Sequence, residues 1–469
     1  MNILHVAAEC YPAAKSGGLG DVVGALPKYQ NLAGKQAAVI MPKYRLEWFM
    51  QHRFESIYSS TIRLGSIYVP FSIQELIDEY LGYKLLVVDV PGLFDRDGIY
   101  ADRITGFPYH DEVERYLVFQ QAVLKFVINL EKRPDILHCH DHHTGLIPFM
   151  VKHCPDYRAL HYLPTVFTIH NGNYQGAFGW EKLPLMPLFD AQARGLLDWN
   201  HHINPMACAV KCAWQVTTVS PGYLHELQMS CLGLESLFRQ ESAKCTGIVN
   251  GIDISLWNPA DDPWIAAQFQ GDVTFYKAQN KAKLLDIFGL HDGLPLYIYI
   301  GRFAREKGAD ILPDAIASFL HQGGRGVFLI LGSGDSVLSS RFEAMKNHFE
   351  GLFNCAIVFH EQLAHQFYAG ADFIIMPSRT EPCGLNQLYA YRYGTIPIVR
   401  NTGGLSDTVI DFGIHNGTGI KFEHFSVDDM LIALYRSNQL YQDDENLLAI
   451  RSRIMQLNFS WQKSEEVYQ

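Results

Sequence analysis

The chain has 469 residues, 48% of them hydrophobic, with 38 Lys and Arg against 49 Asp and Glu for a net charge of −11. Its length fits two or three domains at about 150 residues each, with ample apolar material for large cores. The acidic excess argues against nucleic acid as the main partner, because a phosphate backbone draws basic patches.

Short apolar runs rich in β-formers recur along the chain. In the first half they are Ile3–Ala8, Ala37–Met41, Leu85–Val90, Ile136–Cys139, Thr165–Ile169 and Val216–Val219. In the second half they are Leu296–Ile300, Val327–Leu331, Ile357–Phe359, Phe373–Met376 and Ile396–Val399. Continuous rather than alternating runs suit strands buried on both faces. Helical patterns lie between them, including Val113–Leu130, Asp310–His321 and Leu385–Tyr393. Repeated strand–helix–strand order predicts an α/β protein with doubly wound parallel sheets. The alternation restarts near residue 290, and I-V-N-G-I-D-I-S-L-W-N-P-A-D-D-P, 248 to 263, reads as a connection. We therefore expect two Rossmann-like domains, 1–247 and 248–450, with 451–469 a helix crossing back to the first. No apolar window reaches the ~18 residues of a membrane span. The N-terminus enters a strand-like run without a basic leader, so no signal peptide is expected. Nine scattered cysteines without a C-x-x-C pair read as reduced thiols of a cytoplasmic protein.

Ligands of doubly wound sheets bind beyond the carboxyl ends of the strands, and two facing sheets would form a deep cleft. The strand-end loops therefore carry the functional argument. K-S-G-G-L-G-D-V, 15 to 22, sets Lys15 beside Gly17 and Gly18 at the start of a helix near Leu19. Bare glycine backbone and a helix N-terminus suit an anion, and the lysine adds a full charge. Y-I-G-R-F-A-R-E-K-G, 299 to 308, brings Arg302, Arg305 and Lys307 to the end of another strand. P-S-R-T-E-P-C-G-L-N-Q-L-Y-A, 377 to 390, places Glu381 close to a helix expected to begin at Gly384. N-T-G-G-L-S-D-T, 401 to 408, supplies a second glycine pair at a helix start. Together these loops describe a receptacle for a diphosphate, where each cation–anion pair at 4 Å gains about 4 kcal/mol before desolvation. Such contacts stabilise a departing nucleotide diphosphate.

H-C-H-D-H-H, 138 to 143, invites a zinc reading, but the ligands of a closed tetrahedron are not evident and no metal is expected. Asp95 and Asp97 form a D-x-D separated from its strand by P-G-L-F, and read as loop.

These strings, with T-I-H-N-G-N-Y-Q-G and V-N-G-I-D, resemble the bacterial glycogen synthases and plant starch synthases over essentially the whole chain. The resemblance implies the GT-B arrangement of two Rossmann-like domains, acceptor on the first and nucleotide sugar on the second. It implies retaining transfer of glucose from ADP-glucose to the nonreducing end of an α-1,4-glucan, without a cofactor and without a nucleic acid or membrane partner. By that resemblance Lys15, Gly17 and Gly18 meet the diphosphate from the first domain, and Arg302 and Lys307 neutralise the distal phosphate from the second. Glu381 binds sugar hydroxyls and steadies positive charge at the anomeric carbon. Cys383, Gly384 and Leu385 offer backbone N–H groups to phosphate, and Gly403 and Gly404 turn the backbone toward the donor. His170 lies near the glucose C6 hydroxyl, Asn250 faces the sugar, Phe359 lies near the adenine and Asp141 lies on the acceptor side. His142 stands where the family usually has Trp, Phe359 where it often has Tyr, and Thr380 where Phe is common. The alternatives are a UDP-glucose-dependent transferase of the same fold and a noncatalytic glucan-binding protein on the same scaffold. The departing phosphate is expected to take the proton of the incoming 4-hydroxyl, and domain closure is expected to hinge near residue 250.

Overall fold

In the computed structural model, which describes residues 1–102 and 105–468, the chain forms two units. The first comprises Met1–Val219, Leu224–Ile248 and the chain's end from Ser464; the second comprises Ser220–Tyr223 and Val249–Lys463.

The first unit is built on a nine-stranded sheet. In spatial order its strands are Cys245–Gly247, Gln215–Thr218, Thr165–Ile169, Ile136–His140, Asn2–Val6, Gln36–Pro42, Lys84–Asp89, Ile67–Leu76 and Phe54–Leu64. From Cys245–Gly247 through Lys84–Asp89 all run parallel, as the continuous apolar runs predicted. The last two form an antiparallel hairpin that the apolar runs did not reveal. Its outer strand, F-E-S-I-Y-S-S-T-I-R-L, is largely exposed and has no long apolar run. It sits at a sheet edge with one face toward water, where burial does not demand apolar residues at successive positions. The long helix Glu112–Ile128 begins within a residue of its expected start and buries most of its length.

The second unit carries a six-stranded, wholly parallel sheet. Its order is Phe353–Ile357, Val327–Gly334, Leu296–Phe303, Phe373–Met376, Ile396–Arg400 and Ile420–Phe422. Tyr297 on the third strand stacks on Phe328 at 4.9 Å and on Phe373 at 5.2 Å, linking three neighbouring strands through one aromatic layer.

Several element boundaries depart from expectation; the helix expected over 451–469 is two, the end of Asp444–Met455 and the separate Trp461–Tyr468. The strand expected at Ile357–Phe359 lies at Phe353–Ile357, because this edge strand alternates in burial and a continuous run was the wrong signal. The helix expected from Gly384 starts at Asn386, because Gly384 has φ +74°, a left-handed conformation outside any helix. The helix expected from Asp310 starts at Leu312, after a 3-10 turn over Ala309–Ile311.

At the base of the second sheet, the buried Asp372 accepts from Lys281 Nζ at 2.7 Å and from the Leu296 N–H at 2.7 Å, and it also pairs with Arg451. One carboxylate thus joins the helices Val273–Phe288 and Asp444–Met455 to the sheet. After these helices Ile252 N–H donates to Phe459 O at 2.8 Å, and Glu465, back in the first unit, pairs with Lys35.

Burial alone would raise the Asp372 pKa, but Lys281 and Arg451 together hold it below the ordinary carboxylate value. Its contribution is therefore complete above the unfolded pKa near 3.9 and is lost as pH falls through the lower folded value. Asp372→Asn leaves two buried cations short of a counter-charge and should cost about 3–5 kcal/mol in urea unfolding at pH 7. An unchanged unfolding midpoint would remove the triad from the account of stability.

Candidate active site

In the first unit the loop after strand Asn2–Val6 folds around an acid that the sequence reading passed over. Glu9, 3% exposed, accepts from the N–H groups of Ser16 at 2.5 Å and Gly17 at 3.1 Å, and from the Tyr100 hydroxyl at 2.6 Å. Burial raises its pKa, and these three donors oppose that rise. The turn that presents Lys15 is thus shaped by an internal carboxylate. Lys15 itself projects beside Asp21, with Nζ at 2.6 Å from Oδ1. Gly18 opens the helix Gly18–Leu32, and a Cβ at Gly17 or Gly18 would meet no atom within 4 Å, so the backbone there is open to approach.

On the next two strands of the sheet, Asp141 and His170 follow Ile136–His140 and Thr165–Ile169, which pair directly. Asp141 has φ +55°, and its Oδ1 accepts the His170 N–H at 2.8 Å. Burial pushes its carboxyl up to about 7. His170 is 7% exposed; its Nε2 lies 3.0 Å from His140 Nδ1, and its Nδ1 has no hydrogen-bond partner. Burial lowers its pKa to about 3, so its ring is neutral at neutral pH. His142 instead turns to Glu112, with Nε2 at 3.2 Å from Oε1. Of the D-x-D pair, Asp95 accepts the Gly92 N–H at 2.7 Å within its own loop, and Asp97 pairs with Arg45 of another loop at 2.9 Å.

In the second unit the strand order brings three distant motifs side by side. Leu296–Phe303, Phe373–Met376 and Ile396–Arg400 are neighbours, so their following loops share one edge of the sheet. Lys307 Nζ lies 2.7 and 2.8 Å from the two oxygens of Glu381, whose Oε2 also accepts from Ser378 Oγ at 2.9 Å. Arg302 pairs with Glu306 at 2.9 Å and remains half-exposed. The Glu381 carbonyl accepts the Gly404 N–H at 3.0 Å, tying the 381 turn to the 403 turn. The approach is so close that a Cβ on Gly404 would lie 2.2 Å from Cys383 O. Cys383 is buried beside the backbone N–H of Asn250, itself 5% exposed, which brings these two together as well. Leu385 packs against the core just before the helix Asn386–Arg392, and Gly403, with φ +45°, opens the helix Gly403–Thr408. Ser220 Oγ donates to Pro382 O at 2.7 Å, so the short 220–223 segment also braces this turn. Phe359 follows the outermost strand and is 80% exposed, a free aromatic face.

Among the described residues two groups of side chains stand close enough to share a metal ion: His5, His138 and His140, and Glu112, His142 and His143, each with ligand atoms within 4.8 Å of one another. His5 was missed in sequence because it stands alone in an apolar strand; its pairing opposite His138 is a matter of register. Glu9 was missed for the same reason, although an acid at the end of an apolar strand is a signal that could have been followed.

Residues 2–240 match the family described as the starch synthase catalytic domain, and residues 280–443 match glycosyl transferases group 1. The chain is 47% identical over 470 residues to a glycogen synthase of Flavobacterium johnsoniae, covering 100% of this chain and 98% of the relative. It is 37% identical over 478 residues to a glycogen synthase of Koribacter versatilis, covering 100% and 97%. Among solved structures, the catalytic domain of Starch Synthase IV from Arabidopsis thaliana, bound to ADP and acarbose, matches with a TM-score of 0.85 at 30% identity, over 99% of this chain and 97% of that one. Sucrose-phosphate synthase from Thermosynechococcus elongatus, at 18% identity and a TM-score of 0.63, shares the fold. Two parallel α/β units of this kind are those of a glycosyltransferase. Within that class, the chain belongs to the glycogen synthase and starch synthase family.

The raised Asp141 pKa has a definite sign. A folded pKa of about 7 against 3.8 means that the neutral carboxyl is favoured, and stability is lost as pH rises through that interval. Asp141→Asn, which keeps the acceptor without the charge, should gain on the wild type by about 2–4 kcal/mol between pH 4 and pH 8 in urea unfolding. A difference independent of pH would exclude the shift.

Proposed function

We propose that this chain transfers glucose from ADP-glucose to the nonreducing end of an α-1,4-glucan, with retention at the anomeric carbon. The observation that carries the reading is the pair of Lys307 and Glu381, held at the ends of adjacent strands with Nζ 2.7 Å from Oε1. A cation suited to a leaving phosphate stands against a carboxylate suited to sugar hydroxyls and to a positive anomeric carbon. Arg302, half-exposed, adds charge to the distal phosphate, and the backbone of Cys383, Gly384 and Leu385 adds N–H donors. Gly403 and Gly404 bring the backbone close to the donor, Asn250 meets the sugar, and Phe359 offers a face to the adenine.

In the first unit, Lys15 exchanges Asp21 for a phosphate oxygen at the Gly17–Gly18 turn, His170 meets a sugar hydroxyl, and Asp141 lies on the acceptor side. No protein nucleophile and no cofactor take part. As the C1–O bond to ADP breaks, the freed phosphate oxygen takes the proton of the incoming 4-hydroxyl on the same face of the sugar, and the new glycosidic bond forms there. No helix among the described residues is long and apolar enough to cross a membrane, and every cysteine is a free thiol, which supports a cytoplasmic enzyme.

The deciding assay is ADP release from ADP-glucose with and without added glycogen, with UDP-glucose run in parallel. Glycogen-dependent release from ADP-glucose is expected. Faster release from UDP-glucose would reassign the nucleotide, and glycogen binding without turnover would leave a glucan-binding protein. Lys307→Ala should lower kcat about 10²–10³-fold, as loss of one transition-state donor does. Near wild-type turnover would remove Lys307 from the mechanism.

A further inference from the structure

We infer that Gln30, His5 and His140 set the ring tautomer of His170, so that His170 presents a bare Nδ1 that accepts a hydrogen bond from a hydroxyl of the donor sugar. This deepens the functional reading above and rests on it for the identity of the ligand.

Four buried side chains form one file inside the first unit. Gln30 Oε1 lies 2.7 Å from His5 Nε2, His5 Nδ1 lies 3.0 Å from His140 Nε2, and His140 Nδ1 lies 3.0 Å from His170 Nε2. Gln30 comes from the first helix and the three histidines from three adjacent strands or their ends. A neutral imidazole has one N–H and one lone pair, so each ring-to-ring contact needs a proton from one side only. Choosing one proton therefore chooses all of them. Only two arrangements exist: every proton on Nε2, pointing toward Gln30, or every proton on Nδ1, pointing the other way.

The unpaired end of the file decides between them. His170 Nδ1 is buried and has no partner in the protein. With protons on Nε2, Gln30 Oε1 accepts from His5 and the unpaired atom is a lone pair. With protons on Nδ1, the Gln30 amide must reverse and His170 carries a buried N–H with no acceptor. An orphaned buried N–H is the rarer and costlier defect, so the Nε2–H file is favoured.

The surroundings hold the rings neutral and in place. Burial depresses the pKa of His5 to about 4 and of His170 to about 3, and takes His138 and His140 well below the ordinary value. His138 stacks on His140 at 4.3 Å and is itself held by Thr168 Oγ1 at 2.6 Å from its Nε2. The His170 backbone is fixed by Asp141. The same file argues against a metal at His5, His138 and His140, because both nitrogens of His5 and both of His140 are already engaged. Gln30, His5 and His140 are positioning residues: they act on the sugar only through His170. A site built to accept a hydroxyl proton discriminates against a sugar that lacks it, since the acceptor would then stay buried and unpaired.

The test is a long-range ¹H–¹⁵N correlation spectrum of the full chain labelled with [¹⁵N]histidine, assigned with single His→Gln variants. His5, His140 and His170 should all read as Nε2–H tautomers. Gln30→Met removes the terminal acceptor and should give mixed tautomers at His170 with a fall in kcat of about tenfold, the worth of one hydrogen bond to substrate. Gln30→Glu keeps an acceptor and should keep the Nε2–H state and most of the activity. An Nδ1–H His170 in the unsubstituted protein overturns the inference. So does a Gln30→Met protein whose His170 tautomer and kcat are both unchanged, or one stoichiometric metal ion bound by the histidines. The spectrum of the unsubstituted protein needs neither a folded variant nor turnover. An inactive protein with the Nε2–H file intact would sink the glucosyl-transfer reading alone.

Discussion

Parallel pairing is the constraint from which the functional geometry follows. When every strand of a sheet runs the same way, every loop that leaves a carboxyl end emerges on the same edge. In the second unit this places the segments around Arg302, Glu381 and Gly403 on neighbouring strands, although more than 100 positions separate the first from the last. In the first unit it does the same for the Lys15 loop, Asp141 and His170, because Ile136–His140 lies between Asn2–Val6 and Thr165–Ile169. Burial of both faces keeps the strands mostly apolar, neutral histidines of the first sheet apart, so the charged groups stand toward the strand ends.

The cations gathered there share a second feature. Lys15, Arg302 and Lys307 each lie beside a carboxylate of their own unit: Asp21, Glu306 and Glu381. Ion pairs with partly exposed members contribute about 0–1 kcal/mol to stability. Such a partner can therefore be exchanged for another anion at small cost, and meanwhile the carboxylate holds the cation in place. Lys307 differs from the other two because Glu381 is buried and also bound by Ser378. Its carboxylate is therefore fixed from a second direction.

The two units fill their interiors differently. The second packs apolar and aromatic side chains around Tyr297, and its buried ionisable groups sit in small hydrogen-bonded sets such as the Asp372 triad and the Asp262–His365 pair. The first buries a file of imidazoles beside its central strands, each neutral and each hydrogen-bonded. A file of this kind is tolerated because every ring nitrogen along it but the last, His170 Nδ1, is paired.

Much of this was legible in sequence, and the exceptions are instructive. The doubly buried strands declared themselves as continuous apolar runs. The Phe54–Leu64 and Ile67–Leu76 hairpin did not, since an edge with a wet face has no such run. Phe359 reads in sequence as the end of a strand, yet the chain leaves the sheet two residues earlier, at Ile357, and exposes the ring. The loop motifs stood out because glycines and charges cluster there. Glu9, Gln30 and His5 did not, since each is a single polar residue in an otherwise apolar or helical stretch.

The sequence by itself determined the α/β class, the family and the loops that carry charge, because each of these is written in local pattern or contiguous strings. Only the tertiary structure decided which carboxylate each cation meets, which side chains shape the Lys15 turn, and which nitrogen of His170 is left bare. Those depend on strand order and register, and a hydrogen bond of 3 Å between residues 135 positions apart leaves no mark on the sequence near either of them.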